Sequence, residues 1–118
     1  SKWVSSKKSL ILDLSKKFGP LPSKAFPGRA AILYRLLGLD HENILCAYEQ
    51  DTSPKIGYFI PGTSIPIRSD YELFNSKIPP NIPIINNAWH ISSEISSYFK
   101  SKGIKNKIID LIENSDFE

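Results

Sequence analysis

Four places in this sequence hold residues whose type and spacing could do chemistry. Pro27-Gly28-Arg29 opens a run with helical periodicity. The first N–H groups and the dipole of such a helix favour an anion, and Arg29 adds a full charge of the right sign, so a diphosphate would be comfortable there. The plainer reading makes Gly28 a turn and Arg29 a surface side chain. Glu49 and Asp51 follow an apolar run about twenty residues after Gly28, where dinucleotide-binding folds place a ribose-binding carboxylate. Asp51 could instead stabilise its own turn by bonding the backbone. Trp89 and His90, with Glu94 one turn along, suit a sugar: an indole face packs on a ring while His and Glu bond hydroxyls. The structural alternative has Trp89 filling the core edge, His90 capping a helix and Glu94 in solvent. Pro61-Gly62-Thr63 is a further binding candidate, although a Pro-Gly pair is turn punctuation first.

Other chemistries find little support. Cys46, the one cysteine, lies in the apolar run Ile44-Leu45-Cys46-Ala47-Tyr48, where it behaves as a small hydrophobe. A Cys46/His90 nucleophile pair has no third group to orient it, and one Cys with two His cannot close a zinc site. The serines have no triad context. No catalytic residue and no metal ligand is therefore assigned. The net charge of +3 arises in residues 1–29, which hold seven Lys and Arg against one Asp. No aromatic-interleaved basic motif accompanies those lysines, so they read as the solvated face of a helix and not as a nucleic-acid footprint. Docking of that helix on an acidic protein is the interaction-domain alternative. Without a long apolar run or a charged-then-apolar leader, the expectation is a soluble, cytoplasmic chain with no membrane contact.

These residues need elements to position them, and 118 residues suffice for one core. Leu10, Ile11, Leu14 and Phe18 predict an amphipathic helix over 5–18, stopped by Gly19-Pro20; residues 1–20 then pack on the sheet or serve as a connector, and 21–118 form the domain proper. The prolines at 20, 22 and 27 predict loop, or an edge strand at best. A helix over 29–37 closing at Gly38, and a strand over 44–48 buried on both faces, come next. Residues 57–67 read as an irregular loop with short extended pieces at 58–59 and 65–67. Ser69 and Glu72 are spaced as a capping box for a short helix to about Asn75. A strand over 82–85, a helix from Ile91 to Gly103 with Ile91, Ile95 and Phe99 on one stripe, and a strand over 107–112 complete the chain. Strands alternating with helices predict the α/β class, with a mostly parallel sheet and ligands at the carboxyl ends of its strands.

The stretch from Asp51 to Ile67 resembles the signature of the C-terminal domain of bacterial sugar C-methyltransferases, in which an Asp-x-x-Pro-x-Lys-x-Gly turn leads into a Pro-Gly-Thr-x-Ile-Pro-Ile loop. Gly28-Arg29-Ala30 through Leu36-Leu37-Gly38-Leu39, and Ala88-Trp89-His90 with Glu94-Ile95, are similar to two further family segments in the same order. The resemblance implies a small Rossmann-like α/β domain that closes over a nucleotide-linked sugar. It also implies a larger enzyme with a zinc-binding region and a central domain for S-adenosylmethionine, the partner of this one. These 118 residues contain neither a cysteine cluster nor a Gly-x-Gly-x-x-Gly fingerprint, so the expectation is an accessory, substrate-binding role with no cofactor held by this domain. The entry to the Gly28 turn departs from the family, which leads in with a hydrophobic strand and a glycine. A stand-alone nucleotide-binding module, built on Gly28 and Glu49, is the second reading.

Overall fold

The amphipathic spacing at the start of the chain folds as α1, Lys2–Phe18, in a computed structural model that describes residues 2–76 and 78–113. Ile11 is fully buried, and Val4, Leu14 and Phe18 pack on the same core, so α1 lies on the sheet. The helix begins three residues earlier than its periodicity predicts, and Gly19, at φ 81°, turns the chain out of it.

The next segment overturns an expectation. Leu21–Lys24 forms β1, which is the central strand of the sheet, not a loop or an edge. Pro22 is tolerated because the ladder to the neighbouring strand shifts between Leu21 and Pro22, while the strand on the other side pairs only from Ser23 onward. A missing N–H costs little where no ladder bond is due.

Gly28–Leu37 forms α2 and ends at Gly38, whose φ of 66° is the left-handed cap conformation that glycine adopts without strain. Ile44–Glu49 is β2, Ile67–Ser69 is β3 and Asp70–Asn75 is α3. Ile84–Asn86 is β4, a 3₁₀ turn covers Trp89–Ile91, Ser92–Ser101 is α4 and Ile108–Asp110 is β5. All strand pairs are parallel, in the order β3-β2-β1-β4-β5. This is the doubly wound, Rossmann-like α/β arrangement, and its strand order reverses between β1 and β4.

Two apolar layers sandwich the sheet. On one face, Ile11 of α1 and Ala30, Tyr34 and Leu37 of α2 pack with Ile60 and Ile65 of the β2–β3 connection. On the other, Leu73 of α3 and Ile95 and Phe99 of α4 pack on Cys46, Tyr48 and Ile84. Leu45 departs from the expected two-sided burial of β2: it is the extra residue at the register shift and is 48% exposed. Ile91 leaves the predicted stripe, since it belongs to the 3₁₀ turn and is exposed. Ser69 caps α3 by accepting from the Tyr71 N–H at 3.0 Å, but Glu72 pairs with Arg68 at 3.3 Å and does not close a capping box. Burial pushes the Cys46 thiol up to about 11, which suits its place in the core and leaves little thiolate at neutral pH. Among the described residues, no helix is long and apolar enough to cross a membrane.

Candidate functional site

The strand order reverses at the carboxyl ends of β1 and β4, the place where open α/β sheets bind their ligands. After β1 the chain makes a tight turn. Ala25 adopts φ 70°, a left-handed conformation that costs a non-glycine residue roughly 1–2 kcal/mol. Three bonds hold it there: the Ala25 N–H donates to the Tyr48 carbonyl at 2.7 Å, Asn87 Nδ2 donates to the Ala25 carbonyl at 2.8 Å, and the Asn87 N–H donates to the Lys24 carbonyl at 3.0 Å. Asn87, fully buried just past β4, also donates to Ser23 Oγ at 3.0 Å and accepts from the Tyr34 hydroxyl at 2.6 Å. Burial pushes the Tyr34 phenol well above its ordinary range and keeps it a donor. One amide thus ties β1, β4, α2 and the turn together.

Out of this braced turn rises α2. Pro27 is its N-cap, and its carbonyl accepts from the Ala30 N–H at 2.9 Å; no side chain caps the helix, which leaves the Gly28 and Arg29 N–H groups for an outside acceptor. Of the six glycines, five have positive φ; Gly28 does not, and a Cβ built on it meets no heavy atom within 4 Å. Neither its conformation nor its packing requires glycine. Close approach of something outside the chain would. Arg29 is exposed, and its guanidinium stands 5.7 Å from the centre of the Trp89 ring. Arg29, at the start of α2, therefore meets Trp89, far away in sequence, where the strand order reverses. Trp89 is half-buried against the core, and the exposed His90 ring meets it edge-on at 6.0 Å.

The remaining sequence candidates fall elsewhere. His90 caps no helix: neither the 3₁₀ turn nor α4 has a side-chain cap. Glu94 is exposed and takes a bond from its neighbour Ser93 at 3.3 Å. Glu49 does end β2 beside β1, where a ribose-binding carboxylate would stand, but its Oε1 accepts from the Phe26 N–H at 3.2 Å and faces Lys55 Nζ at 3.7 Å. Lys55 in turn donates to the Phe26 carbonyl at 2.6 Å and lies over the Phe26 ring. The carboxylate serves to staple the turn. Asp51 accepts a bond from Ser69, tying the β2 exit to the start of α3, whereas its own turn is held by Ser53 Oγ, which accepts from the Lys55 N–H at 3.2 Å.

Pro61-Gly62-Thr63 lies at the other end of the sheet. Residues 57–67 fold as a narrow finger: the Ile67 N–H donates to Tyr58, the Gly57 N–H to Ile67, and the Ile60 N–H to Ile65. Its tip packs on Arg35 in the last turn of α2, and the Ser64 N–H donates to Asp40 Oδ1 at 2.8 Å. The Ser64 and His41 amides hold the Asp40 carboxyl below the usual aspartate value. A lowered folded-state value stabilises the folded form above the ordinary value and loses that contribution as pH falls through the lowered one. The Ser64 amide resonance should therefore titrate with a midpoint below the ordinary aspartate value and stop doing so in Asp40→Asn; a midpoint at or above the ordinary value would contradict the bond's role.

Sequence reasoning missed Asn87 and Tyr34, which brace the turn before α2, and Lys24, whose ammonium pairs with Asp70 on the opposite face of the sheet. Among the described residues, no group of three or more His, Cys, Asp or Glu is placed to hold a metal ion. A family model, the C-methyltransferase C-terminal domain, matches residues 15–112. No curated protein matches the chain.

Proposed function

Because the chain belongs to the C-methyltransferase C-terminal domain family, we propose that it holds the nucleotide-linked sugar on which a separate, S-adenosylmethionine-binding domain acts. The observation that carries this reading is the contact of Arg29, in the first turn of α2, with Trp89 at the strand-order reversal. The α2 N–H groups and the Arg29 charge suit a diphosphate, and the indole offers a face to the attached ring. Because the guanidinium already lies against that indole, a phosphate and a ring bound there would share one wall.

The residues do not fit S-adenosylmethionine or a dinucleotide. The carboxylate that would take ribose hydroxyls is bonded to Phe26 and Lys55, and the buried Phe26 fills the turn where a glycine-rich loop would leave room. Methyl transfer is thus assigned to the partner domain, and this domain's part is binding and orientation.

The test is kinetic. In the complete methyltransferase, Arg29→Ala should raise KM for the nucleotide-linked sugar about ten-fold, since a lost charge-assisted bond is worth roughly 1.5–3 kcal/mol. KM for S-adenosylmethionine should stay unchanged, and an exposed side chain should leave stability within about 0.5 kcal/mol. An unchanged sugar KM, or full activity after removal of the domain, would overturn the reading.

A further inference from the structure

We propose that the outward face of α2 is a docking surface for an acidic amphipathic helix of a partner protein. A helix laid on a sheet ordinarily turns polar residues to solvent. α2 turns Ile32 and Leu36 outward, 68% and 55% exposed, while Ala30, Tyr34 and Leu37 serve the core. Four residues apart, the two stand on one face and form an apolar strip. The surroundings of this strip are positive. Arg29 and Arg35 lie three residues to either side of Ile32, and Lys8 of α1 brings its ammonium beside Gly38, where α2 ends. All three are exposed, and none has an ion-pair partner among the described residues. α2 contains no Asp or Glu, and over α1 and α2 together six exposed Lys and Arg stand against one carboxylate, Asp13.

Unpaired cations around an apolar centre call for a surface that is apolar in its middle and acidic at its margin. A helix with leucines at i and i+4 and glutamates beside them presents that pattern, and it packs on another helix ridge into groove. A nucleic acid matches less well, because aliphatic side chains offer its bases nothing to stack on. A bilayer also matches less well, since two side chains bury too little apolar surface to anchor a protein. α2 leads from the carboxyl end of β1 back to the start of the parallel β2, so it runs from the carboxyl edge of the sheet to the amino edge. Arg35, Leu36 and Lys8 thus lie at the end away from the Arg29–Trp89 contact, and a domain acting on a ligand held there does not have to cover them. The surface therefore stands independently of the diphosphate reading.

The probe is a synthetic peptide of about 20 residues, long enough to be helical, with leucines at i and i+4 and glutamates flanking them. The same peptide with lysine for every glutamate is the control. Titrated into isotope-labelled protein at low salt, the acidic peptide should shift the Ile32 and Leu36 methyl signals with a Kd below about 1 mM. Raising the salt about ten-fold should weaken it at least about five-fold, because exposed charges are screened. Leu36→Ser and Arg35→Glu, both at exposed positions, should each weaken it about five-fold or more with the fold intact. No shifts at millimolar peptide, equal binding of the lysine peptide, or unchanged binding in both variants would each overturn the proposal. So would phosphatidylserine vesicles or single-stranded DNA moving these methyl signals while the acidic peptide leaves them in place.

Discussion

Replacing Lys24 by alanine is expected to lower the free energy of unfolding by about 3–5 kcal/mol. Lys24 and Asp70 are 3% and 4% exposed, and their 2.6 Å contact is the one fully buried ion pair among the described residues. Alanine would strand the Asp70 carboxylate with the Tyr98 hydroxyl alone. The cost is that of an uncompensated buried charge, not the net worth of the pair. The double variant Lys24→Met with Asp70→Leu should therefore recover most of the loss, because two apolar side chains of similar volume need no partner. Urea denaturation of Lys24→Met, Asp70→Leu and the double variant measures the coupling directly. A loss under about 1 kcal/mol in Lys24→Ala would mean that water reaches the pair.

Asn87→Leu should cost about 2–4 kcal/mol, because it leaves the Tyr34 hydroxyl, the Ala25 carbonyl and Ser23 Oγ short of partners at once. The loss should be local as well as global. With its brace gone, Ala25 has less reason to stay at φ 70°, and amide hydrogen exchange at Ala25, Phe26 and Gly28 should speed up ahead of global unfolding. Uniform exchange across the chain would show instead that Asn87 supports the core generally and not the turn before α2.

The α/β class, the order of elements and the family resemblance were legible in the sequence because each rests on periodicity or on a contiguous motif. Helices α2 and α4 announced themselves by apolar spacing and a closing glycine, Gly38 and Gly103. Strand β1 did not. Three prolines hid it, and only the pairing partners reveal that Pro22 falls at a register shift where its missing N–H is harmless. Misreading β1 also concealed Lys24 and Ser23, since a lysine in a supposed loop gives no sign of being buried. Asn87 gave a fainter signal: a second asparagine right after an apolar strand, where a polar side chain must either leave the core or brace it.

Among the site candidates, Arg29 and Trp89 are brought together, whereas Glu49 and Asp51 are held by internal bonds that spacing cannot foretell. The Pro61-Gly62-Thr63 motif was the most recognisable stretch and lies at the far end of the sheet. A motif conspicuous in sequence can mark how a chain turns and packs, here a finger that replaces a crossover helix between β2 and β3, without marking where a ligand sits.

The proposed seat of a nucleotide-linked sugar's diphosphate, at the start of α2 between the ends of β1 and β4, is open to direct measurement. Its most direct test is titration of deoxythymidine diphosphate, and then of the corresponding nucleotide-sugar, into isotope-labelled protein at constant ionic strength. Amide shifts are expected to centre on Gly28, Arg29 and Ala30, with the nucleotide-sugar also moving the Trp89 indole, and binding should be at least about ten-fold weaker in Arg29→Ala. Shifts absent at millimolar ligand, or unchanged in the Arg29 variant, would contradict it.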